Sequence, residues 1–463
     1  MKFRKILALI LAKMAIYLSR WLGNQGSDFP GHLARRIYPG ILSELADNVQ
    51  TSTIIVTGTN GKTTTTNMIA AIMRENGSTY VHNQAGANMI TGITTAFIQK
   101  TNCIGTRIFD YALLEVDEAN VPLLLKEIKD DYMVVTNFFR DQLDRYGELD
   151  HTINIIKDAV TGSNITLLLN GDDPLQAHFE KQTGLTCCYY RFSDSRYDNW
   201  ESSESREGRY CVFCGTELVY SRYHYAQLGT FSCPYCHSQN PPADFTAGNL
   251  LLTPAINMSV NELEIFSPYN GFYNAYNVLT AVALGHLLNV PGKVIQSAMA
   301  RFQPRAGRME NFYIKGKKVI LVLVKNPTGL NQSLAMLLND NNPKNLFIAL
   351  NDNAADGRDI SWIWDANLEV VADSDAAINK VICSGLRSGD IAVRVKYAGV
   401  KNDDIIIKTK LAEGIETAVK LSSNVSYIFS TYTALFECRK ILARMEHRTG
   451  KRIGARPKVR EYR

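Results

Sequence analysis

Short apolar runs rich in β-branched residues recur along this chain between longer segments of helical period. Residues 52–56 form the first such run, and its unbroken apolar character predicts a strand covered on both faces. Residues 108–118 form a second, ending in acids, and residues 132–137 and 165–170 two more. Between the first and second, Asn67 to Met73 has the pattern of a buried helix. Strands alternating with helices predict a parallel sheet whose carboxyl ends bind ligands, and Glu115, Asn137 and Asn170 fall at those ends. After residue 310 the alternation resumes. Residues 318–324, 345–350, 369–372 and 392–395 are expected strands, and residues 329–338 a helix.

At 463 residues the chain exceeds a single core. The expected fold class is α/β. A helical N-terminal segment (1–48) precedes a central domain (49–310) interrupted by an insertion at about 195–250. A C-terminal α/β domain (311–440) and a basic tail (441–463) follow. Internal repeats are absent.

Candidate chemistry sharpens this outline. Gly58-Thr59-Asn60-Gly61-Lys62-Thr63-Thr64 carries the inner G-x-x-G-K-T-T of a phosphate-binding loop, placed between a strand and a helix. Gly58 and Gly61 let backbone N–H groups face an anion, and the helix N-terminus adds its dipole. Lys62, expected to face solvent, would reach the outer phosphates, and Thr63 would hold Mg²⁺.

Within the insertion, Cys211-x2-Cys214 and Cys233-x2-Cys236 are separated by 18 residues. That spacing predicts a closed tetrahedral zinc site, structural because it leaves no open coordination position. The other cysteines (Cys103, Cys187, Cys188, Cys383 and Cys438) lie in apolar surroundings, as reduced core cysteines do. With a nucleotide loop, they place the chain in the cytoplasm.

A net charge of +5 is too small to imply a polyanion partner. The excess gathers in residues 439–463, which hold ten Lys or Arg. The N-terminus pairs Lys2, Arg4, Lys5, Lys13 and Arg20 with Ile, Leu, Tyr17 and Trp21. Interrupted by its lysine and arginine, it is not a membrane span. It suits either a helix lying on the inner face of the cell membrane or one packed on its own domain.

These residues together resemble the Mur ligase family over roughly 52–310. The resemblance is carried by the loop at 57–64, Glu115, Thr136-Asn137, Asp141-Gln142-Leu143-Asp144, Asn170-Gly171-Asp172-Asp173-Pro174, Gly271-x-x-Asn274-x-x-Asn277 and Gly307-Arg308-Met309-Glu310. It implies that Gly58, Thr59, Asn60, Gly61, Lys62, Thr63 and Thr64 bind ATP, that Thr63 and Glu115 hold Mg²⁺, and that Asn277 and Arg308 meet the nucleoside. A carbamylated lysine holds a second Mg²⁺ in the family. Counting places it at Lys157, although Gln142 stands where the family has histidine.

The C-terminal domain departs from the amino-acid-adding ligases. With the Cys₄ insertion, it resembles an amidating branch of the family that works as a heterodimer with a glutamine amidotransferase subunit, GatD. The resemblance implies ATP- and glutamine-dependent amidation of the D-glutamate α-carboxylate in the lipid II stem peptide to D-isoglutamine, through an acyl phosphate. This chain has no G-x-C-x-G nucleophile elbow of its own, so ammonia would come from the partner. The resemblance also implies that an aspartate here completes the partner's Cys–His pair. Asp352, Asp356, Asp359 and Asp365 are available, Asp356 being preferred and Asp359 the alternative. Two other readings stand beside this one: a ligase adding an amino acid to a peptidoglycan precursor, and a zinc-ribbon ATPase on nucleic acid. The ribbon lacks a dense basic and aromatic surface, which argues against nucleic acid.

Overall fold

The computed structural model describes residues 2–21, 26–83, 87–140, 149–200, 207–303, 308–373, 376–421 and 423–453. The Asp141-Gln142-Leu143-Asp144 motif and Gly307 lie outside that set. The chain divides into two compact units that meet in sequence at Phe302 and Gln303.

The first unit is built on β1 (Val49–Thr57), β2 (Tyr80–His82), β3 (Phe109–Glu115), β4 (Tyr132–Val135), β5 (Thr166–Asn170) and β6 (Cys187–Phe192). The insertion supplies the hairpin β7 (Val219–Tyr225) and β8 (Leu228–Ser232). Then β9 (Phe245–Leu251), β10 (Ile256–Val260) and β11 (Leu263–Ser267) extend the sheet. Its order is β11-β10-β9-β6-β5-β4-β1-β3-β2, parallel from β2 to β9 and antiparallel beyond. β1 lies third from the β2 edge, flanked by β3 and β4, where the chain switches from building one side to building the other. Ligands bind at such a switch point.

Alternate residues of each strand enter two cores. Ile54, Val56, Leu113, Val134 and Leu168 pack with the helices Lys62–Glu75 and Phe272–Leu287. Ile55, Leu114, Met133, Val135 and Leu169 face the opposite core, which the N-terminal helix Lys2–Trp21 joins through Ala8, Leu9, Ala12 and Ile16. Burial on both faces explains why these strands read as continuous apolar runs.

The second unit contains β12 (Arg308–Ile314), β13 (Lys317–Leu323), β14 (Lys344–Ala349), β15 (Ile378–Ser384), β16 (Ile405–Ile407) and β17 (Val425–Ser430). Their order is β12-β13-β17-β14-β15-β16, and only the β12–β13 pair is antiparallel.

Two expected strands are corrected here. Residues 369–372 lie in the 3₁₀ helix Leu368–Ala372, and residues 392–395 in the helix Ser388–Tyr397. Ala-Val-Arg-Val alternates locally, but Ile391, Ala392, Val395 and Ala398 bury one helical face. Arg394 is buried with them and donates to the carbonyls of Ile363 and Ala366, at 3.0 and 2.7 Å. The true strand there is β15, hidden by its polar start, Asn379-Lys380. Among the scattered cysteines, Cys383 and Cys438 are buried as expected, Cys187 and Cys188 are half-buried, and Cys103 is exposed. The helix Tyr432–Ile453 carries regular structure into the basic tail.

Candidate functional site: a phosphate loop braced by a zinc ribbon

The turn after β1 has two glycines with positive φ, Gly58 at 113° and Gly61 at 83°. A side chain at Gly58 would strike Thr136 Oγ1 at 2.5 Å, and one at Gly61 would strike Asn277 Oδ1 at 2.3 Å. Both positions therefore require glycine on two counts, backbone conformation and space. The ends of β4 cradle the turn. Thr59 N donates to Asn137 O at 3.0 Å, Asn60 N to Asn137 Oδ1 at 2.9 Å, and Thr136 Oγ1 to Asn60 O at 2.7 Å. Thr59 Oγ1 also donates to Phe139 O at 3.0 Å.

Lys62 opens the following helix and is only 9% exposed, which corrects the expectation that it faces solvent. Its ammonium donates to Gly58 O and sits 3.1 and 3.3 Å from the two Glu118 oxygens. Burial opposes the charged ammonium, but Glu118, Asp117 and Glu115 outweigh it and hold the pKa above its ordinary value. Glu118 is the residue that sequence reasoning missed. It was visible only as the last of the acids after β3, and its role depends on β3 lying beside β1.

That same pairing aligns Val56 with Glu115. Thr63 Oγ1 consequently donates to Glu115 Oε1 at 2.9 Å. A hydroxyl and a buried carboxylate side by side are hard oxygen donors of the kind Mg²⁺ takes, beside a loop whose lysine carries the charge a phosphate needs. Asn83 fixes the Glu115 backbone from the end of β2, accepting from its N–H at 2.8 Å and donating to its carbonyl at 2.7 Å. Asn277, on the helix Phe272–Leu287, accepts from Thr65 Oγ1 at 3.2 Å. Lys62, Thr63, Glu115 and Asn277 are thus brought together. Arg308 begins β12 in the second unit.

Lys157 lies on the helix Leu149–Val160, which packs against the Glu118–Asn120 turn. Its ammonium is 5.1 Å from the centre of the Phe179 ring, and burial lowers its pKa against the pull of Asp150 and Asp158.

The thiols of Cys211, Cys214, Cys233 and Cys236 lie within 4.8 Å of one another. An ion held by four thiolates at about 2.3 Å sets sulfur atoms roughly 3.8 Å apart, so the cluster fits zinc. The two knuckles are built alike. Cys211 N donates to Thr216 O and Cys233 N to Ser238 O, while Gly215 and His237 both adopt positive φ. The ribbon is fastened to the sheet by Gln227 Nε2 donating to Phe138 O at 2.7 Å and Gly229 N to Asp172 O at 3.0 Å. Asp172 is itself held by Arg191 and by the Tyr276 hydroxyl, each at 2.9 Å.

In the second unit, Asp356 follows the exposed residues 353–355 but is itself 4% exposed. Its carboxylate accepts from Thr433 N at 2.7 Å and from the Thr433 hydroxyl. Asp359 caps the Ser361–Trp364 turn, accepting from Ser361 N at 2.8 Å. Asp352 pairs with Arg387 at 2.8 Å.

A glycine loop with its lysine, a hydroxyl–carboxylate pair at its mouth and a strand-end cradle define a nucleotide site in a Mur-ligase fold. The pseudomurein peptide ligase type C of Methanothermus fervidus superposes with a TM-score of 0.67 at 21% identity, covering 86% of this chain and 79% of that one. MurF from Acinetobacter baumannii gives 0.63 at 15%, covering 90% and 80%. Residues 56–232 match the Mur ligase middle domain and residues 323–435 the MurT ligase C-terminal domain. The chain is 37% identical over 398 residues to the lipid II isoglutaminyl synthase (glutamine-hydrolyzing) subunit MurT of Staphylococcus aureus strain COL, covering 86% of this chain and 89% of that protein. It is 35% identical over 448 residues to the same subunit of Streptococcus pneumoniae, covering 96% and 98%. The chain belongs to the MurT family of Mur-type ligases.

Proposed function

We propose that this chain is the synthetase subunit of a cytoplasmic lipid II isoglutaminyl synthase. It amidates the D-glutamate α-carboxylate of the stem peptide with nitrogen released from glutamine by a partner subunit of the GatD type. The observation that carries the reading is the Lys62–Thr63–Glu115 constellation in a chain whose C-terminal unit matches the MurT domain.

A carboxylate is a poor electrophile. Transfer of the ATP γ-phosphoryl to one of its oxygens releases ADP and leaves an acyl phosphate. Neutral ammonia then attacks the acyl carbon, inorganic phosphate leaves, and the nitrogen sheds a proton to give the amide. The loop amides and Lys62 bind and orient the triphosphate, and Lys62 offsets charge that spreads over the transferring group. Thr63 and Glu115 would hold Mg²⁺, which would supply positive charge against the phosphates. Lys62 exchanges Glu118 for the phosphate, so its charge is buried and compensated before and after nucleotide binds. Asn277 and Arg308 are proposed for the nucleoside and Lys157, as its carbamate, for a second Mg²⁺. The lowered Lys157 pKa supports this, since carbamylation needs the free amine. Zinc at the Cys₄ cluster is structural. Asp356, or alternatively Asp359, completes the partner's Cys–His pair.

The test mixes the chain with its partner, ATP, Mg²⁺, glutamine and lipid II, and reads product mass. An amidated stem peptide is expected, lost in Glu115→Gln. A product formed only with a free amino acid would assign the chain to the amino-acid-adding ligases instead.

A further inference from the structure

The helix Lys2–Trp21 is apolar on two opposite faces, and among the described residues only one is packed into the fold. Its inner face is fixed by Ala8, Leu9, Ala12 and Ile16 in the core. Lys13 caps that attachment, donating to the carbonyls of Ile98 and Thr101 at 2.8 Å each, and Lys5 pairs with Glu44 at 3.0 Å. The outer face carries Phe3, Leu7, Ile10, Met14, Tyr17 and Trp21, all exposed; Phe3 reaches 79%, Met14 62% and Trp21 76%. Their spacing alternates four and three residues, which places all six on one stripe of the helix. Burying that stripe would remove a large apolar area from water.

The charges choose the occupant. The helix contains no acidic residue, and at about 100° per residue the exposed Arg4 and Arg20 fall on either side of the apolar stripe. Tyr17 and Trp21 at one end are amphipathic rings of the kind that settle at lipid headgroups, and Phe3 at the other adds a purely apolar ring. No helix among the described residues is long and apolar enough to cross a membrane, and this one is tied down along its inner face. An apolar stripe between cations on an immobilised helix matches the surface of an anionic bilayer, with the helix axis parallel to the membrane plane.

We propose that the outer face of the helix Lys2–Trp21 docks the chain on an anionic lipid bilayer and holds the phosphate loop's domain beside its substrate. The inference rests on the proposed function only in that the substrate is lipid-linked.

Flotation of the full-length chain with vesicles of equal parts phosphatidylglycerol and phosphatidylcholine, or of phosphatidylcholine alone, tests it. Wild type is expected to float with the anionic vesicles. Met14→Glu with Trp21→Glu should cut the bound fraction at least about tenfold, since each large apolar side chain withdrawn from lipid is worth roughly that factor. Arg4→Glu with Arg20→Glu should weaken binding to anionic vesicles and leave phosphatidylcholine unaffected. Both variants should keep the wild-type melting temperature and, with the partner subunit, amidate detergent-solubilised lipid II at the wild-type rate. Absent vesicle binding by wild type, or equal binding by the Met14/Trp21 variant, overturns the proposal. So does a wild-type dimer that the same variant splits on gel filtration, which would assign the stripe to a second copy. Vesicle binding without amidation in detergent would overturn the proposed function and leave the docking surface standing.

Discussion

Gln227, at the tip of the zinc-ribbon hairpin, donates its side-chain N–H to the carbonyl of Phe138 at 2.7 Å. Phe138 lies between Asn137 and Phe139, the residues whose carbonyls receive the backbone and hydroxyl of Thr59 in the phosphate loop. Tyr225 of the same hairpin packs its ring 6.0 Å from that of Phe139. The ribbon is therefore a brace for the wall of the nucleotide site.

Cys211→Ser should release zinc and lower the melting temperature, because a structural site contributes folding energy. It should also raise KM for ATP, an effect a remote ornament would not have. Gln227→Ala should retain zinc and raise KM about two- to tenfold, the worth of one hydrogen bond. Metal analysis, calorimetry and ATP kinetics on the two variants check this. An unchanged KM in both would remove the brace.

Lys62 and Glu118 are a buried pair, and breaking one partner is costly. Lys62→Ala should abolish ATP-dependent turnover by at least about 10²-fold, as loss of a transition-state charge partner does. It should also destabilise the chain, by up to about 3–5 kcal/mol, because the buried Glu118 carboxylate loses its ammonium partner. Lys62→Met with Glu118→Gln should recover stability but no activity. Denaturant melts beside an ATPase assay separate the two effects. A fully stable Lys62→Ala would show that the pair is not closed in solution.

Asp356 holds the first turn of the helix Tyr432–Ile453 through Thr433, whereas Asp359 caps a short turn nearer the surface. With the partner subunit present, Asp356→Asn should lose glutamine-dependent amidation while ammonium chloride still supports it. Its folding stability should fall by about 1–3 kcal/mol through lost hydrogen bonding. If Asp359→Asn alone shows the glutamine-specific loss, the role moves to Asp359.

Asp173 is fully buried, and burial pushes its carboxyl from 3.8 up to about 6, against hydrogen bonds from Leu175, Gln176 and Phe138. Its folded pKa exceeds the unfolded one, so the folded chain binds more protons in between. This residue's contribution thus declines as pH rises from about 4 to about 6, by about 3 kcal/mol in all, and is level above that. The stability of Asp173→Asn relative to wild type should accordingly improve across that window. Chemical denaturation of both proteins at pH 4, 5, 6 and 7 reads the difference directly. A flat difference would place the titration elsewhere.

What the sequence by itself determined is local. A β-branched run, glycines three apart, Lys62-Thr63 and a buried helix specify a phosphate loop within one contiguous stretch, because strand, turn and helix dipole are neighbours in the chain. The Cys₄ site is nearly as local, since each knuckle closes its own hydrogen bonds over five residues. Short windows served less well. Residues 392–395 alternate like a strand, yet Arg394 and four apolar neighbours bury a helical face that only a longer window shows. Tertiary structure alone decided the rest. Glu118 meets Lys62 because β3 lies parallel to β1 with Glu115 level with Val56, and Gln227 reaches Phe138 because an insertion folds back across 89 positions. Such pairings are set by sheet order and register, quantities to which the residues between the partners contribute nothing that can be read in isolation.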